Sequence, residues 1–304
     1  MKRGGAVAAV ESGYIKQKLV ESNAARLRAI ENGEQVVVGV NKFIESAPSP
    51  LTENLDEAIL TVVPQVDANQ RAELDRWKEE RDNDAVQEAL AEIQRVAKTD
   101  ENMMGPSIAA AHAGVTTGEW ANTLREVWGE YRAPTGVAGA TVKTSSSGAA
   151  AETVERLRNR LHDLEARMGR RPKLLVGKPG LAGHSNGAEQ IAIKARDVGF
   201  DVVYEGIRVS PEQIVASALE EGVHLIGLSI LSGSHLALVP EVAQRLRDAG
   251  LGDVPVVAGG IIPEADAERL RAEGIAAVYT PKDFELDNIM SDLIDLVDRQ
   301  HAAE

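Results

Sequence analysis

The chain contains no cysteine. That excludes disulfides, thiolate metal sites and a cysteine nucleophile, and it is compatible with a reducing cytoplasm. Aromatic residues make up only 3% of the 304 positions, so cores must be assembled from Ala, Val, Leu and Ile. No window approaches the roughly 18 apolar residues of a membrane span, and Met1 to Gly5 are not followed by the apolar core of a signal peptide. Positive charge is also in short supply: 33 Lys and Arg stand against 47 Asp and Glu, for a net charge of -14. Duplexes and anionic bilayers are held through Lys and Arg, so neither nucleic acid nor a membrane surface is expected as a partner. The expectation is a soluble, cytoplasmic protein.

The length suffices for two domains, each with its own core. Residues 6–31 read as a helix, with Val7, Val10, Ile15, Leu19, Leu27 and Ile30 on one side, an interruption at Gly13-Tyr14 and a stop at Gly33. Val36 to Val40 is apolar on consecutive positions, the pattern of a strand buried on both faces, as in a parallel sheet or barrel. No neighbouring segment supplies strands to pair with it. Residues 1–45 are therefore expected to be the remnant of a larger β/α barrel whose other strands lie outside this chain. Residues 46–132 read as a wrapping segment. It begins as a proline-punctuated loop (Pro48, Pro50, Pro64), with Thr61-Val62-Val63 as a short strand. A helical pattern then runs over 69–98, broken near 82–84, where Asn83 or Asp84 is the expected cap. Trp120, Leu124, Val127, Trp128 and Tyr131 recur at helical spacing, which predicts core packing. Residues 133–171 are expected to be a Gly/Ala/Ser/Thr linker followed by a charged helix.

From Pro172 the pattern alternates. Strands are predicted at 174–177, 202–204, 225–229, 256–258 and 277–279. Helices are predicted at 188–199, 211–221, 237–249, 264–273 and 286–299. Ser210-Pro211-Glu212-Gln213 is a helix start with a capping box and Pro at the first position. Five strands alternating with helices over 172–304 predict a doubly wound parallel sheet of the flavodoxin-like order 2-1-3-4-5. Ligands of such sheets bind beyond the strand C-termini, at the switch point between the first and third strands.

Three segments fall on that edge. The first is Lys178 to Gly187, about ten residues with three glycines, a proline and His184. The second is Ser229-Ile230-Leu231-Ser232-Gly233-Ser234-His235, and the third is Gly259-Gly260. The first segment lacks the Gly-Lys-Ser/Thr ending of a P-loop, and Gly180, Gly183 and Gly187 do not spell a dinucleotide fingerprint. No aspartate closes the third strand, so phosphoacceptor chemistry is not expected. His184 remains as a metal ligand, an acid/base or a surface residue. His235 is the second candidate, or else a helix cap, and His224 is expected to be structural. No second histidine or carboxylate stands at chelate spacing to His184, so a bare zinc or iron site is not expected. A single histidine suits a metal whose other ligands arrive with a cofactor.

These motifs resemble a known family. Gly183-His184-x-x-Gly187, Ser229-x-Leu231 and Gly259-Gly260 are similar to the cobalamin-binding domain of acyl-CoA mutases, the methylmalonyl-CoA mutase group. The wording at 183–190, 229–235, 259–266 and 279–284 looks most like the ethylmalonyl-CoA branch. The resemblance implies adenosylcobalamin as cofactor, bound base-off, with His184 as the lower axial ligand of cobalt. Gly183, Gly187, Ser229, Leu231, Gly259, Gly260 and Thr280 would line the cofactor. It further implies radical isomerisation of an acyl-CoA carbon skeleton, with the acyl-CoA held by a barrel domain or subunit outside this chain, no catalytic residue in the chain itself, and an oligomeric assembly. The alternative is a stand-alone cobalamin-binding carrier or regulatory module without catalysis. In the family motif, Asp-x-His-x-x-Gly, the aspartate orients the imidazole. Its place is taken here by Ala182.

Overall fold

The computed structural model describes residues 4–44, 64–130, 135, 149–280, 283 and 285–302. They form two compact units, one of residues 1–44 with 133–304 and one of residues 45–132.

The first unit begins with helices α1 (Gly5–Glu11) and α2 (Tyr14–Glu31), separated where Gly13 takes a left-handed backbone, φ 68°. The Val36–Val40 run forms no strand. Val38 and Lys42 make one isolated bridge, and Val36, Val38 and Val40 are exposed. The Asn41 side chain folds the segment into a turn: its carbonyl accepts from the Val37 N–H at 2.8 Å, and its amide donates to the Ile30 and Gln35 carbonyls. A strand needs neighbours to pair with, and among the described residues none is offered here. The Thr61–Val63 strand and nearly all of the 133–148 linker lie outside the described residues.

In the second unit, α3 spans Pro64–Glu80, α4 Asn83–Val96, α5 Met104–Ala113 and α6 Thr117–Trp128. The α4 cap is neither Asn83 nor Asp84 but Asp82, whose carboxylate accepts from the N–H groups of Asp84 and Ala85. Ile93, Ala97, Ala110 and Leu124 form the small core, with Trp120 and Val127 packed against it as the stripe predicts. Trp128 is 61% exposed, but its indole N–H donates to the Ala97 carbonyl at 2.9 Å. Tyr131 lies outside the described residues.

In the first unit the chain continues through α7 (Ala149–Met168), β1 (Lys173–Pro179), α8 (Asn186–Val198), β2 (Asp201–Val209) and α9 (Pro211–Glu221). It is completed by β3 (Leu225–Ile230), α10 (His235–Asp248), β4 (Val256–Gly260), α11 (Glu264–Ala272), β5 (Ala277–Tyr279) and α12 (Leu286–His301). The five strands are parallel, in the order β2-β1-β3-β4-β5. Alternate residues of each strand enter opposite cores. Leu174, Val176, Leu225 and Val257 pack against α7, α8 and α12, while Leu175, Ile226, Leu228 and Ala258 pack against α9, α10 and α11. The predicted capping box is present: Ser210 caps the Gln213 N–H, Gln213 reaches back to the Ser210 N–H, and Pro211 takes the first helical position.

One carboxylate organises the second unit. Glu119 pairs with both outer nitrogens of Arg81 at 2.8 and 2.6 Å and accepts from the Thr116 N–H and hydroxyl. The Arg81 bond above all, helped by Thr116, pulls its pKa from 4.5 down to about 2. A lowered folded-state pKa gives stability that is complete above pH 4.5 and is lost as pH falls toward 2. All three tryptophans, Trp77, Trp120 and Trp128, lie in this unit, so their fluorescence reports on it alone. The fluorescence-detected melting midpoint is expected to fall across that pH window. Glu119→Gln should lower the midpoint at pH 7 and flatten its acid dependence, and parallel pH curves for the two proteins would refute the assignment.

Candidate functional site

Strand β1 extends to Pro179 and α8 begins at Asn186. The connection is therefore Gly180 to Ser185, six residues, within the ordinary range for such loops rather than beyond it. Gly180 has φ 83°, and a Cβ there would lie 2.8 Å from Leu238 of α10, so both the turn and the close approach require glycine. Beyond it Leu181, Gly183 and His184 are exposed, while Ala182 and Ser185 are half-buried. Among the described residues the His184 imidazole has no hydrogen-bond or ion-pair partner. It stands exposed at the C-terminal edge of the sheet, beside the β1/β3 switch point.

The other predicted site residues converge on the same edge. Ser229, the penultimate residue of β3, lies opposite Gly259, and Ile230, the last, lies opposite Gly260. Leu231 follows directly and is half-buried. Thr280 follows β5, where its N–H and hydroxyl both donate to the Asp283 carboxylate at 2.7 and 3.1 Å, fixing the turn. Gly187 opens α8 with free space where a side chain would project. His235 is not on this edge in any usable sense: its ring is buried and its Nε2 is 2.8 Å from Asp266 of α11, so it ties two helices together rather than capping one. His224 is structural, accepting the Lys173 N–H on Nδ1.

Pleating adds a second element. On the face covered by α8, Gly227, Ser229 and Gly259 continue the rows of Leu225 and Val257, and Ala188 and Ala192 face them from α8. This strip of small residues is bordered by two buried polar atoms without a hydrogen-bond partner among the described residues, the hydroxyls of Tyr204 and Tyr279. Burial raises the pKa of both phenols, with a smaller contribution from the Glu189 carboxylate at Tyr204 and from Asp292 and Asp283 at Tyr279, so both stay O–H donors. Unmatched buried donors are costly, and here they border the strip where a ligand would enter. A cavity of about 450 Å³ between α2, α8 and the start of α12 is lined in part by Gln190 and includes none of the predicted site residues.

Two residues escape the sequence reading. Lys178 looks like a loop residue but is the sixth residue of β1, with no exposed surface. Its ammonium donates to the Ser229 carbonyl at 3.3 Å, and burial lowers its pKa. Arg208 sits at a bulge of β2 with φ 59° and brings its guanidinium against Gly183. Nothing in a bare sequence marks a left-handed arginine.

Residues 1–130 match the family model of methylmalonyl-CoA mutase, and residues 172–283 match that of the B12 binding domain. The two matches lie in succession along the chain. It is 58% identical to the ethylmalonyl-CoA mutase of Methylorubrum extorquens over 97% of this chain and 42% of that protein. It is 55% identical to the ethylmalonyl-CoA mutase of Cereibacter sphaeroides, over 97% of this chain and 44% of that protein. The methylmalonyl-CoA mutase of Escherichia coli is 33% identical over 98% of this chain and 41% of that protein. The chain thus spans less than half the length of these relatives.

Gly260 is the tightest point of the site. A Cβ there would lie 1.8 Å from the Ile230 carbonyl oxygen, whereas one at Gly259 would meet Tyr279 at 3.8 Å. Gly260→Ala should therefore cost about 3 kcal/mol or more, and Gly259→Ala about 1 kcal/mol or less, read from urea unfolding by circular dichroism. Equal losses at the two positions would contradict this geometry.

Proposed function

We propose that residues 172–304 bind cobalamin base-off, with His184 as the lower axial cobalt ligand, and that the chain is the cobalamin-binding part of an adenosylcobalamin-dependent acyl-CoA mutase of the ethylmalonyl-CoA type. The observation that carries this reading is the free, exposed imidazole of His184 beside a strip of small residues bordered by unmatched donors. The residues fit the group. A corrin already supplies four equatorial nitrogens, so one imidazole completes what the protein must offer. Among the described residues no cluster of three metal-binding side chains competes with it. Gly183 and Gly187 leave room on either side of the ligand. Ser229, Gly259 and Gly260 would admit the nucleotide tail to the sheet edge, where the Tyr204 and Tyr279 hydroxyls would meet its acceptors. Leu231 and Thr280 border the same edge.

Bound adenosylcobalamin supplies the radical chemistry for a carbon-skeleton isomerisation. The protein's own task on this chain is to hold and orient the cofactor. The acyl-CoA would be held by a barrel domain or subunit outside these 304 residues, in an oligomer, and no catalytic residue is assigned here. The absence of cysteine fits a cytoplasmic setting, and no helix among the described residues is long and apolar enough to cross a membrane. Ala182 favours a second reading, a cobalamin carrier without catalysis, because its methyl group cannot accept a hydrogen bond from the imidazole. Restored mutase turnover on addition of a barrel chain would decide for the first reading, and cobalamin binding without turnover for the second.

Titration with hydroxocobalamin, followed by absorbance, tests the cofactor. The chain should give a base-off, histidine-bound spectrum, and His184→Ala should not. Restoring an orienting carboxylate in Ala182→Asp should tighten binding by roughly 10- to 100-fold, the usual effect of such a partner. Unchanged binding in His184→Ala would sink the ligand assignment.

A further inference from the structure

Ser185 occupies the N-cap position of α8, directly after His184, yet it does not cap. Its backbone is helical, φ -97° and ψ -15°, and its hydroxyl accepts no N–H from the first turn. A serine at this position ordinarily takes an extended backbone and satisfies one of the helix's orphan N–H groups. Here the hydroxyl is engaged from outside the helix: Lys16 of α2 donates to it at 2.9 Å. The same ammonium lies 2.5 Å from Glu189, whose side chain is 3% exposed and which belongs to the first turn of α8. Val20, one turn further along α2, is 1% exposed and is part of the core that α8 shares, so Lys16 is delivered by a packed helix rather than by a mobile arm.

We propose that Lys16 is a positioning residue for His184, a clamp by which the segment of residues 5–31 sets the conformation of the histidine loop. The deduction is electrostatic and geometric. A cation at a helix N-terminus opposes the helix dipole, so Lys16 is held there by Glu189, whose buried carboxylate in turn requires a cation. Between them they fix the first turn of α8 and hold the residue adjacent to His184 out of its capping geometry. Release of Lys16 unties Ser185 and Glu189 together, so that the first turn of α8 frays and the chain at His184 is free to rotate. Any displacement of α2 is thereby transmitted to the imidazole over a single residue.

The proposal concerns the loop and rests on the cobalamin reading only for its consequence, so two measurements separate them. Hydrogen exchange read by mass spectrometry needs no cofactor. Lys16→Met should speed exchange of the Ser185–Gln190 amides by about tenfold while leaving β3 unchanged, and Lys16→Arg, which keeps the charge and the donors, should restore most of the protection. Ser185→Ala, which keeps the ion pair, should loosen the loop but not the rest of α8. Unchanged exchange in Lys16→Met, or a rise spread equally through β3, would overturn the clamp. In the hydroxocobalamin titration, Lys16→Met should weaken binding by roughly three- to tenfold and Lys16→Arg by little. Identical affinities would overturn the positioning role. Failure of every variant and of the parent chain to bind would defeat the cofactor reading and leave the exchange result to judge the clamp.

Discussion

Strand β1 is hydrogen-bonded on both edges and buried on both faces, and the rest of the first unit depends on that position. With β2 on one side and β3 on the other, the chain must leave β1 in one direction and return to β3 on the far side of the sheet. The crossover helices α8 and α9 therefore lie on opposite faces and open a crevice at the carboxyl edge. The strand ends deliver the site's elements to that crevice, so the sheet register sets where the six-residue connection after β1 emerges, and the Lys16–Ser185 bond ties that connection to α2.

The sheet also explains where polar groups are tolerated. Lys178 is drawn over the end of β3, where its ammonium donates to the Ser229 carbonyl. The phenols of Tyr204 and Tyr279 are kept as neutral donors by burial. Such groups cost stability in the free protein and contribute only when something meets them, and both phenols pack on the core face that carries the strip of small side chains.

Much of this was legible in the sequence because it depends on periodicity. The consecutive apolar runs at 174–177 and 225–229 fixed strands buried on both faces, the alternation fixed a parallel sheet, and the Ser210–Gln213 box fixed a helix start to the residue. The His184, Ser229 and Gly259-Gly260 segments fell on one edge as soon as strand order was assigned. What failed depended on partners distant in the chain. The run at 36–40 has the composition of a strand, but a strand is a property of a pair, and Asn41 bonds it into a turn instead. Asp82 rather than Asn83 caps α4 because the helix boundary sits one residue earlier than its apolar pattern suggests. Lys16 and Arg208 carry no local signal at all. Their significance comes from residues 169 positions away in one case and from a bulge in the other.

The turn at 36–44 has a consequence for handling the protein. Val36, Val38, Val40, Phe43 and Ile44 are all at least 42% exposed, and the stretch combines high β-propensity with no proline. Segments of that kind pair with copies of themselves when no better neighbour is present. Lys42 stands 5.7 Å from the Phe43 ring centroid and, with Glu34, supplies the little charge that discourages stacking. Concentrated samples are thus expected to lose material as these turns pair into shared sheets, and dilute ones to keep longer.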